Sequence, residues 1–206
     1  MNRKAKSVFW ASSAALALFT AAAGLRLLYG FDLWLMRVAQ ARTSGFLDTV
    51  GGLFSTAGGI KFTVATLIIM LAVMSLGGRL VLAVRILIAF LAASAIEVAM
   101  KFWVPVTPLP DEFSRSAGYD PLVPVAYPYP YPSGHMLRTT ILLGVIFVLW
   151  KNRAARALIL LALIGMSLSR VYMGVHWASD VIGGILLGVA GLAWAFGYRK
   201  GGRPWR

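Results

Sequence analysis

Residues 127–150 read YPYPYPSGHMLRTTILLGVIFVLW, and they pass abruptly from a proline-rich segment to an apolar one. Proline is disfavoured in the interior of a helix, so no helix is expected within residues 127–132. Ser133 then stands where a helix N-cap would, directly ahead of the apolar run. An apolar helix of about 20 residues crosses the roughly 30 Å hydrocarbon core of a bilayer. The stretch therefore predicts a transmembrane helix that opens on a serine, a glycine and a histidine.

The composition of the whole chain is that of an integral membrane protein. The chain has 206 residues, of which 59% are hydrophobic and 13% are charged, and its mean hydropathy is +0.77. A soluble domain of this length needs much more polar surface. The net charge of +13 does not indicate a nucleic-acid partner, because the basic residues cluster in short segments between apolar runs. The absence of cysteine excludes disulfides and thiolate metal sites.

Six segments are long and apolar enough to cross a membrane, so the predicted fold class is all-α, a polytopic membrane protein with six transmembrane helices. These segments are 8–29, 61–77, 80–104, 134–150, 155–174 and 178–198. The first is long for the apolar part of a signal peptide and is interpreted as a retained helix. No internal repeat or second domain is visible, and residues 1–206 are predicted to form a single domain.

Two connections are long enough to have structure of their own. Residues 31–60 are less apolar than the spans and are predicted to contain a short helix lying in the membrane interface. The apolar residues that recur there at helical spacing are Phe46, Leu47, Val50, Leu53 and Phe54. Residues 105–132 are rich in proline and are predicted to form an ordered loop.

The distribution of charge predicts the orientation of the chain. In the six-span arrangement one side carries only basic residues, namely Arg3, Lys4, Lys6, Arg79, Arg85, Lys151, Arg153, Arg156, Arg199, Lys200, Arg203 and Arg206. All seven acidic residues belong to the other half, and they are Asp32, Asp48, Glu97, Asp111, Glu112, Asp120 and Asp180. Because basic loops remain inside, both termini are predicted to be cytoplasmic and loops 30–60 and 105–132 to face outward.

Both histidines fall on that outer side together with other ionisable groups. Ionisable residues at membrane depth are candidates for function, although a lone interfacial histidine is more often structural. His176 and Asp180 are four residues apart, so a helix would bring them to one face. The carboxylate could then fix the imidazole tautomer and leave the other ring nitrogen as a base or nucleophile. Arg170 and Lys101 add cations on the same side, and an arginine fork suits phosphate or carboxylate.

The sequence Pro132-Ser133-Gly134-His135 is suited to holding an anion. The first free N–H groups of a helix point outward at its positive end, and glycine permits close approach of a ligand. His135 would lie in the first turn, within reach of that ligand. The alternative is a capped transmembrane helix with an incidental histidine.

The segments PSGH at 132–135 and SRVYMGVHWASD at 169–180 resemble the second and third signature motifs of the type 2 phosphatidic acid phosphatase (PAP2) superfamily. The family patterns are P-S-G-H and S-R-x5-H-x3-D, and every specified position is matched. The resemblance extends from about Lys101 to Asp180. It implies a six-helix membrane-integrated lipid phosphatase, similar to phosphatidylglycerophosphatase B, that transfers phosphoryl groups in two steps without a metal or other cofactor.

The resemblance also implies roles for individual residues. His176 would attack phosphorus to form a phosphohistidine, with Asp180 orienting it. His135 would protonate the leaving oxygen and then activate water. The groups implied to hold the phosphate oxygens are Ser133, the Gly134 N–H and Arg170, an arrangement of the kind expected to stabilise a phosphoryl-transfer transition state.

The first family motif, K-x6-R-P, is matched only in part. Lys101 corresponds to the motif lysine, whereas Pro108 stands where the arginine is expected. Lys101 is a candidate phosphate ligand, with an ion pair to Glu97 one turn earlier as the alternative. Arg138 and Arg115 are the two candidates for the missing arginine, and Arg138 is favoured because it lies three residues after His135 and would share roughly the same face of a helix.

Two classes of function therefore compete. The first is an enzyme that removes phosphate from phosphatidylglycerophosphate, phosphatidic acid, undecaprenyl pyrophosphate or a lipid A type substrate, or that transfers it to another lipid. The second is a non-catalytic membrane protein that uses a cationic pocket for binding or transport. In both, membrane lipids are the partners.

Overall fold

A computed structural model describes residues 1–115 and 127–197, and every regular element among them is helical. The α-helices are α1 (Arg3–Gly24), α2 (Tyr29–Ala39), α3 (Gly45–Gly58), α4 (Ile60–Leu76), α5 (Leu80–Trp103), α6 (Gly134–Leu149), α7 (Arg153–Tyr172) and α8 (Ala178–Gly197). A 3₁₀ turn, Asp111–Phe113, follows α5. The all-α prediction is confirmed for the described residues.

Several helices begin where a polar side chain can accept an otherwise unpaired backbone N–H. Asn2, Ser44, Ser133 and Asn152 cap α1, α3, α6 and α7 in this way. The first helix ends earlier than the predicted limit of residue 29, because the chain turns at Arg26, whose φ of 59° is incompatible with a continuing right-handed helix.

Helix α8 lies at the centre of the molecule and packs against α1, α5 and α6. Glycines on α8 allow the close approach that helix pairs in membranes require. At Gly184 a side chain would overlap the Ser133 carbonyl, so the start of α6 rests directly on the α8 backbone. The largest buried cluster around this contact includes Leu82, Ile86, Leu137, Ile141, Val145 and Leu187.

The apolar exterior and the helix lengths identify an integral membrane protein. In the part of the chain that the structure describes, four helices, α1, α5, α7 and α8, are long and apolar enough to span a bilayer, and α3 with α4 forms a fifth candidate bent by 50°. Large aliphatic side chains such as Ile69, Leu91 and Leu161 are more than half exposed on the outer surface of the bundle. Helix α6 has 16 residues and is shorter than the usual span of about 20. The count of six spans therefore stays a prediction.

The connection at 31–60 differs from its prediction. It contains two helices, α2 and α3, and α3 packs against α7 and α6. The residues expected to form an interfacial surface are divided, since Phe46 is 75% exposed whereas Phe54 packs against the core. Parts of two other predictions, residues 116–126 of the outer loop and the C-terminal basic residues from Arg199 onward, lie outside the described residues.

Candidate active site

His176 is placed by a tight turn between α7 and α8. Gly174 adopts a φ of 64°, which ends α7 and redirects the chain. The Nδ1 atom of His176 then lies 3.2 Å from Oδ2 of Asp180, in the first turn of α8. The same carboxylate oxygen accepts the backbone N–H of Trp177 at 2.9 Å. The predicted pairing of His176 with Asp180 is therefore present, and both residues are buried.

The Ser-Gly-His sequence meets this pair through the backbone. The Ser133 N–H donates to the carbonyl oxygen of Asp180 at 2.9 Å, and Ser133 Oγ accepts the N–H of Met136 as the cap of α6. His135 is buried in the first turn of α6. Two segments that are separated in sequence thus begin their helices side by side.

Arg170 and His135 are both tied to helix α3. Nη1 of Arg170 donates to Oγ of Ser55 at 2.8 Å, and the backbone of Ser55 contacts the His135 ring. The ring also packs over Gly58, where a side chain would approach it within 2.9 Å. Helix α3 therefore supplies one wall of the candidate site, a role that the sequence did not indicate.

Lys101 is held by an acidic partner and by the loop. Its Nζ lies 3.5 Å from Oε1 of Glu97 and donates to the carbonyl oxygen of Pro130 at 3.2 Å. The ammonium also lies 5.2 Å from the centre of the Tyr127 ring. The ion pair considered as the alternative for Lys101 is thus formed, at the same end of the bundle as the histidines.

Gly134, the first residue of α6, lies next to charged side chains. A side chain on Gly134 would come within 2.7 Å of Oε1 of Glu97 and 2.9 Å of Nη1 of Arg138. Because glycine has no side chain, the Glu97 carboxylate and the Arg138 guanidinium can occupy this space. Arg138 is therefore adjacent to the start of α6, as its spacing from His135 predicts.

Arg115, the other candidate for the missing arginine, is engaged elsewhere. Its guanidinium forms a bidentate pair with Asp48, at 2.9 and 2.8 Å, and Asp48 also accepts the hydroxyl of Tyr172 at 2.7 Å. The Arg115 N–H donates to the Met173 carbonyl. These bonds fasten the loop to α3 and to the end of α7.

The electrostatics of the site act on His176 from several sides. Burial is the largest effect and lowers the pKa of His176 well below its usual value, and the positive charges of Lys101 and Arg170 lower it further. His135 and Arg138 contribute in the same direction. The imidazole is thus kept neutral, with Nδ1 toward Asp180 and its other nitrogen available for chemistry.

Ser55 is the principal addition to the predicted site, and Glu97, considered in the sequence only as an ion-pair partner of Lys101, also borders it. Ser55 occurs in a helix with no motif, and nothing in its local sequence distinguishes it from other small polar residues. Glu97 could be recognised, because a carboxylate one turn before Lys101 in an apolar helix needs a partner. Within residues 1–115 and 127–197, no three acidic or histidine side chains converge in a way that could hold a metal ion.

Comparison with known proteins agrees with the motifs. The family model of the PAP2 superfamily matches residues 82–202. The fold is similar to the crystal structure of the first transmembrane PAP2 type phosphatidylglycerolphosphate phosphatase from Bacillus subtilis, with a TM-score of 0.77 and 20% sequence identity over 96% of this chain and 98% of that one. No curated protein sequence matches the chain.

The depressed pKa of His176 predicts a distinct acid titration. A histidine in the unfolded chain titrates near pH ~6.5, and folding lowers the pKa of this one. As the pH falls below ~6.5, the unfolded state takes up the proton first, so this group's contribution to stability is complete above that pH and is lost below it. We expect the His176 imidazole to remain neutral at pH ~6.5 in the folded protein.

The measurement is ¹⁵N NMR of histidine-labelled protein in detergent, with His135→Asn leaving His176 as the only imidazole, since the chain has two histidines. A titration midpoint at or above pH ~6.5 would contradict the expectation.

Proposed function

This chain belongs to the PAP2 superfamily, and from that premise we propose that it is a membrane lipid phosphatase acting through a phosphohistidine intermediate. The observation that carries the proposal is the buried pair of His176 Nδ1 and Asp180 Oδ2, at 3.2 Å, beside the helix start that carries His135. A neutral imidazole held by its Nδ1 atom can act as a nucleophile through Nε2.

In the proposed first step, Nε2 of His176 attacks the phosphorus atom of a lipid phosphate. A nitrogen–phosphorus bond forms, the bond from phosphorus to the lipid oxygen breaks, and protonated His135 gives its proton to that oxygen. The imidazole of His176 gains positive charge as it is phosphorylated, and the adjacent Asp180 carboxylate stabilises that charge. The products are the dephosphorylated lipid and a phosphohistidine.

In the second step, neutral His135 takes a proton from water as the water oxygen attacks phosphorus. The nitrogen–phosphorus bond breaks, phosphate leaves, and His176 returns to its starting form. One histidine thus serves as acid and then as base, which requires that it be near the phosphorus atom in both steps. The contact of His135 with Ser55 and Gly58 limits how far the ring can move away.

The phosphate oxygens are proposed to be held by cations and by the start of α6. Arg170 and Lys101 approach from α7 and α5, and the N–H groups following Ser133 stand at the positive end of α6. Each cation already has an oxygen partner, Ser55 for Arg170 and Glu97 for Lys101. These partners orient the donors before substrate binds, so little reorganisation is needed as charge develops in the transition state.

The substrate class is inferred from the apolar exterior of the bundle. A site at the end of a helical bundle with an apolar exterior can be reached by the phosphate group of a lipid while the chains of that lipid remain in the bilayer. The similar B. subtilis protein is described as a phosphatidylglycerolphosphate phosphatase, and phosphatidylglycerophosphate is accordingly the first candidate. Phosphatidic acid, undecaprenyl pyrophosphate and lipid A type phosphates are the others.

The decisive experiment is phosphate release by purified protein from these lipid phosphates in mixed micelles containing EDTA. We expect release from at least one of them without added metal, and a loss of at least about 10³-fold in His176→Ala because the nucleophile is removed. Glu112→Gln, a change in the exposed loop, serves as the matched control and should retain activity.

The same experiment separates the competing functions. Activity that EDTA abolishes, or that survives in His176→Ala, would contradict the mechanism. Loss of lipid phosphate without free phosphate, with transfer to an added lipid alcohol, would identify a phosphotransferase. Binding of every lipid with turnover of none would favour the non-catalytic alternative.

We also propose the orientation with six spans, cytoplasmic termini and an outward-facing site in a bacterial cytoplasmic membrane. The support is the segregation of charge in the sequence, in which the basic residues of the inner side are unaccompanied by acids. The Asn2 N–H donates to the Gly197 carbonyl, so α1 begins beside the end of α8, whereas the candidate site lies at the start of α8. A site there would act on lipids of the outer leaflet.

Single cysteines test this orientation, since the chain has none of its own. Asp111→Cys, in the exposed 3₁₀ turn, is expected to react with an impermeant maleimide added to intact cells. Arg153→Cys, at the exposed start of α7, should react only after permeabilisation. The reverse pattern would show that the orientation is inverted.

Arg138 is proposed to replace the arginine that the first motif lacks. Its guanidinium borders Gly134 and acts electrostatically on both Lys101 and His176. Arg115 is instead committed to Asp48 through both arms of its fork. The position of Arg138 on α6 therefore offers a forked cation beside the same helix start that carries His135.

Substitution of Arg138, but not of Arg115, should reduce activity. A charged hydrogen bond contributes about 1.5–3 kcal/mol, so Arg138→Ala is expected to lower kcat/KM by about tenfold to a hundredfold. Arg115→Ala should leave kcat/KM nearly unchanged, because its bonds fasten the loop and do not reach the histidines. Unaltered kinetics in a well-folded Arg138→Ala protein would reject the proposed role.

A further inference from the structure

The residue that precedes helix α8 has no side-chain acceptor for the N–H groups of the first turn. The residue before its first turn is Trp177, whose indole N–H is only a donor and bonds to the Thr107 carbonyl at 2.7 Å. Helix N-termini have unpaired N–H groups that must find an acceptor when they are buried. Ser179 and Asp180 in this turn are almost completely buried. Asp180 accepts the Trp177 N–H, but the Ser179 N–H needs an acceptor from another part of the chain.

Asp32 on α2 supplies that acceptor. Its Oδ1 accepts the backbone N–H of Ser179 at 2.8 Å, and its Oδ2 accepts the Ser179 hydroxyl at 2.7 Å. The carboxylate is only 4% exposed, and 147 residues separate it from Ser179 in sequence. A carboxylate in this place also compensates the positive end of the helix dipole. Asp32 thus caps α8 from outside the helix.

The capped turn is the one that orients the candidate nucleophile. Asp180 directly follows Ser179, and its side chain reaches back to the Trp177 N–H and to Nδ1 of His176. The carbonyl oxygen of Asp180 also accepts the Ser133 N–H. Any rotation of the first turn of α8 would move the carboxylate away from His176 and disturb the start of α6 at the same time.

We propose that Asp32 is a positioning residue that fixes the first turn of α8 and thereby holds Asp180 against Nδ1 of His176. The inference rests on the proposed function in so far as His176 is a nucleophile. Both carboxylate oxygens of Asp32 are bonded to Ser179, so Asp32 acts on the reaction through Asp180 and needs no contact with substrate. Its removal should slow phosphoryl transfer and leave binding of the lipid phosphate nearly unaltered.

The kinetic test compares Asp32→Ala with the nearly isosteric Asp32→Asn. Asparagine keeps a carbonyl oxygen that can accept the Ser179 N–H. Its side-chain N–H can donate to the Ser179 hydroxyl once that hydroxyl has rotated. We expect Asp32→Ala to lower kcat by about tenfold to a hundredfold, with KM changed by less than about threefold, because ligands of the phosphate remain. Asp32→Asn should restore most of kcat. Glu112→Ala, an acid removed from the exposed loop, is the matched control.

A second measurement does not depend on turnover. In ¹⁵N-histidine NMR spectra the chain gives signals from two imidazoles only, and His135→Asn assigns them. Asp32→Ala should shift or broaden the Nδ1 signal of His176, because the hydrogen bond that selects its tautomer is weakened. The His135 signals should change little, and Asp32→Asn should resemble the native protein.

The outcomes separate this inference from the proposed function. Wild-type protein that releases no phosphate from any lipid would overturn the proposed function, while the NMR comparison would still test the position of His176. Folded Asp32→Ala with native kcat and a native His176 spectrum would overturn the positioning role. A similar fall in kcat in Asp32→Asn and Asp32→Ala would also contradict it, since geometry would then not be what matters.

If Asp32→Ala does not fold, Ser179→Ala carries the test. It removes only the hydroxyl contact to Asp32 and keeps the backbone bond. We expect kcat to fall by about threefold to tenfold and the His176 Nδ1 signal to move. Native values for both would reject the inference.

Discussion

The hydrogen bond from the Ser133 N–H to the Asp180 carbonyl joins the two helix starts on which the candidate site is built. Both groups are buried, where an unpaired backbone amide or carbonyl is costly, so each helix supplies what the other needs. Gly184 makes the contact possible, because a side chain there would overlap the Ser133 carbonyl. This contact therefore fixes the position of His176, the candidate nucleophile, relative to His135, the candidate acid and base.

The same region concentrates charge that a membrane protein would ordinarily exclude. Lys101, Arg170 and Arg138 stand around two histidines, with the carboxylates of Glu97 and Asp180 among them. A dianionic phosphate would complement this excess of cations, whereas the carboxylates and the Ser55 hydroxyl orient them in its absence. An imidazole nucleophile must be neutral and must have a hydrogen-bond partner for its other ring nitrogen. The arrangement around His176 meets both requirements.

Helices α2 and α3, in the first part of the chain, support the candidate site. They have no signature motif, yet α3 holds Arg170 and His135, and α2 reaches the first turn of α8 through Asp32. The bidentate pair of Arg115 with Asp48 then fastens the loop before α6 to α3. These short helices thus connect the motif-bearing half of the chain to the rest and restrict the motion of its polar side chains.

The sequence by itself determined the helical class and the approximate helix positions, and its motifs predicted the histidines and charged residues of the candidate site. Hydropathy located each apolar helix within a few residues, and the spacing of His176 and Asp180 predicted their shared face, because both properties depend on neighbouring residues alone. The substitution of Pro108 for an arginine was likewise visible. Only the tertiary structure decided that Arg138 borders the site while Arg115 pairs with Asp48, and that Ser55 and Asp32 support the motif residues. These contacts bridge more than a hundred residues in two cases, and they depend on how buried helix ends find donors and acceptors across the bundle, which no local pattern encodes.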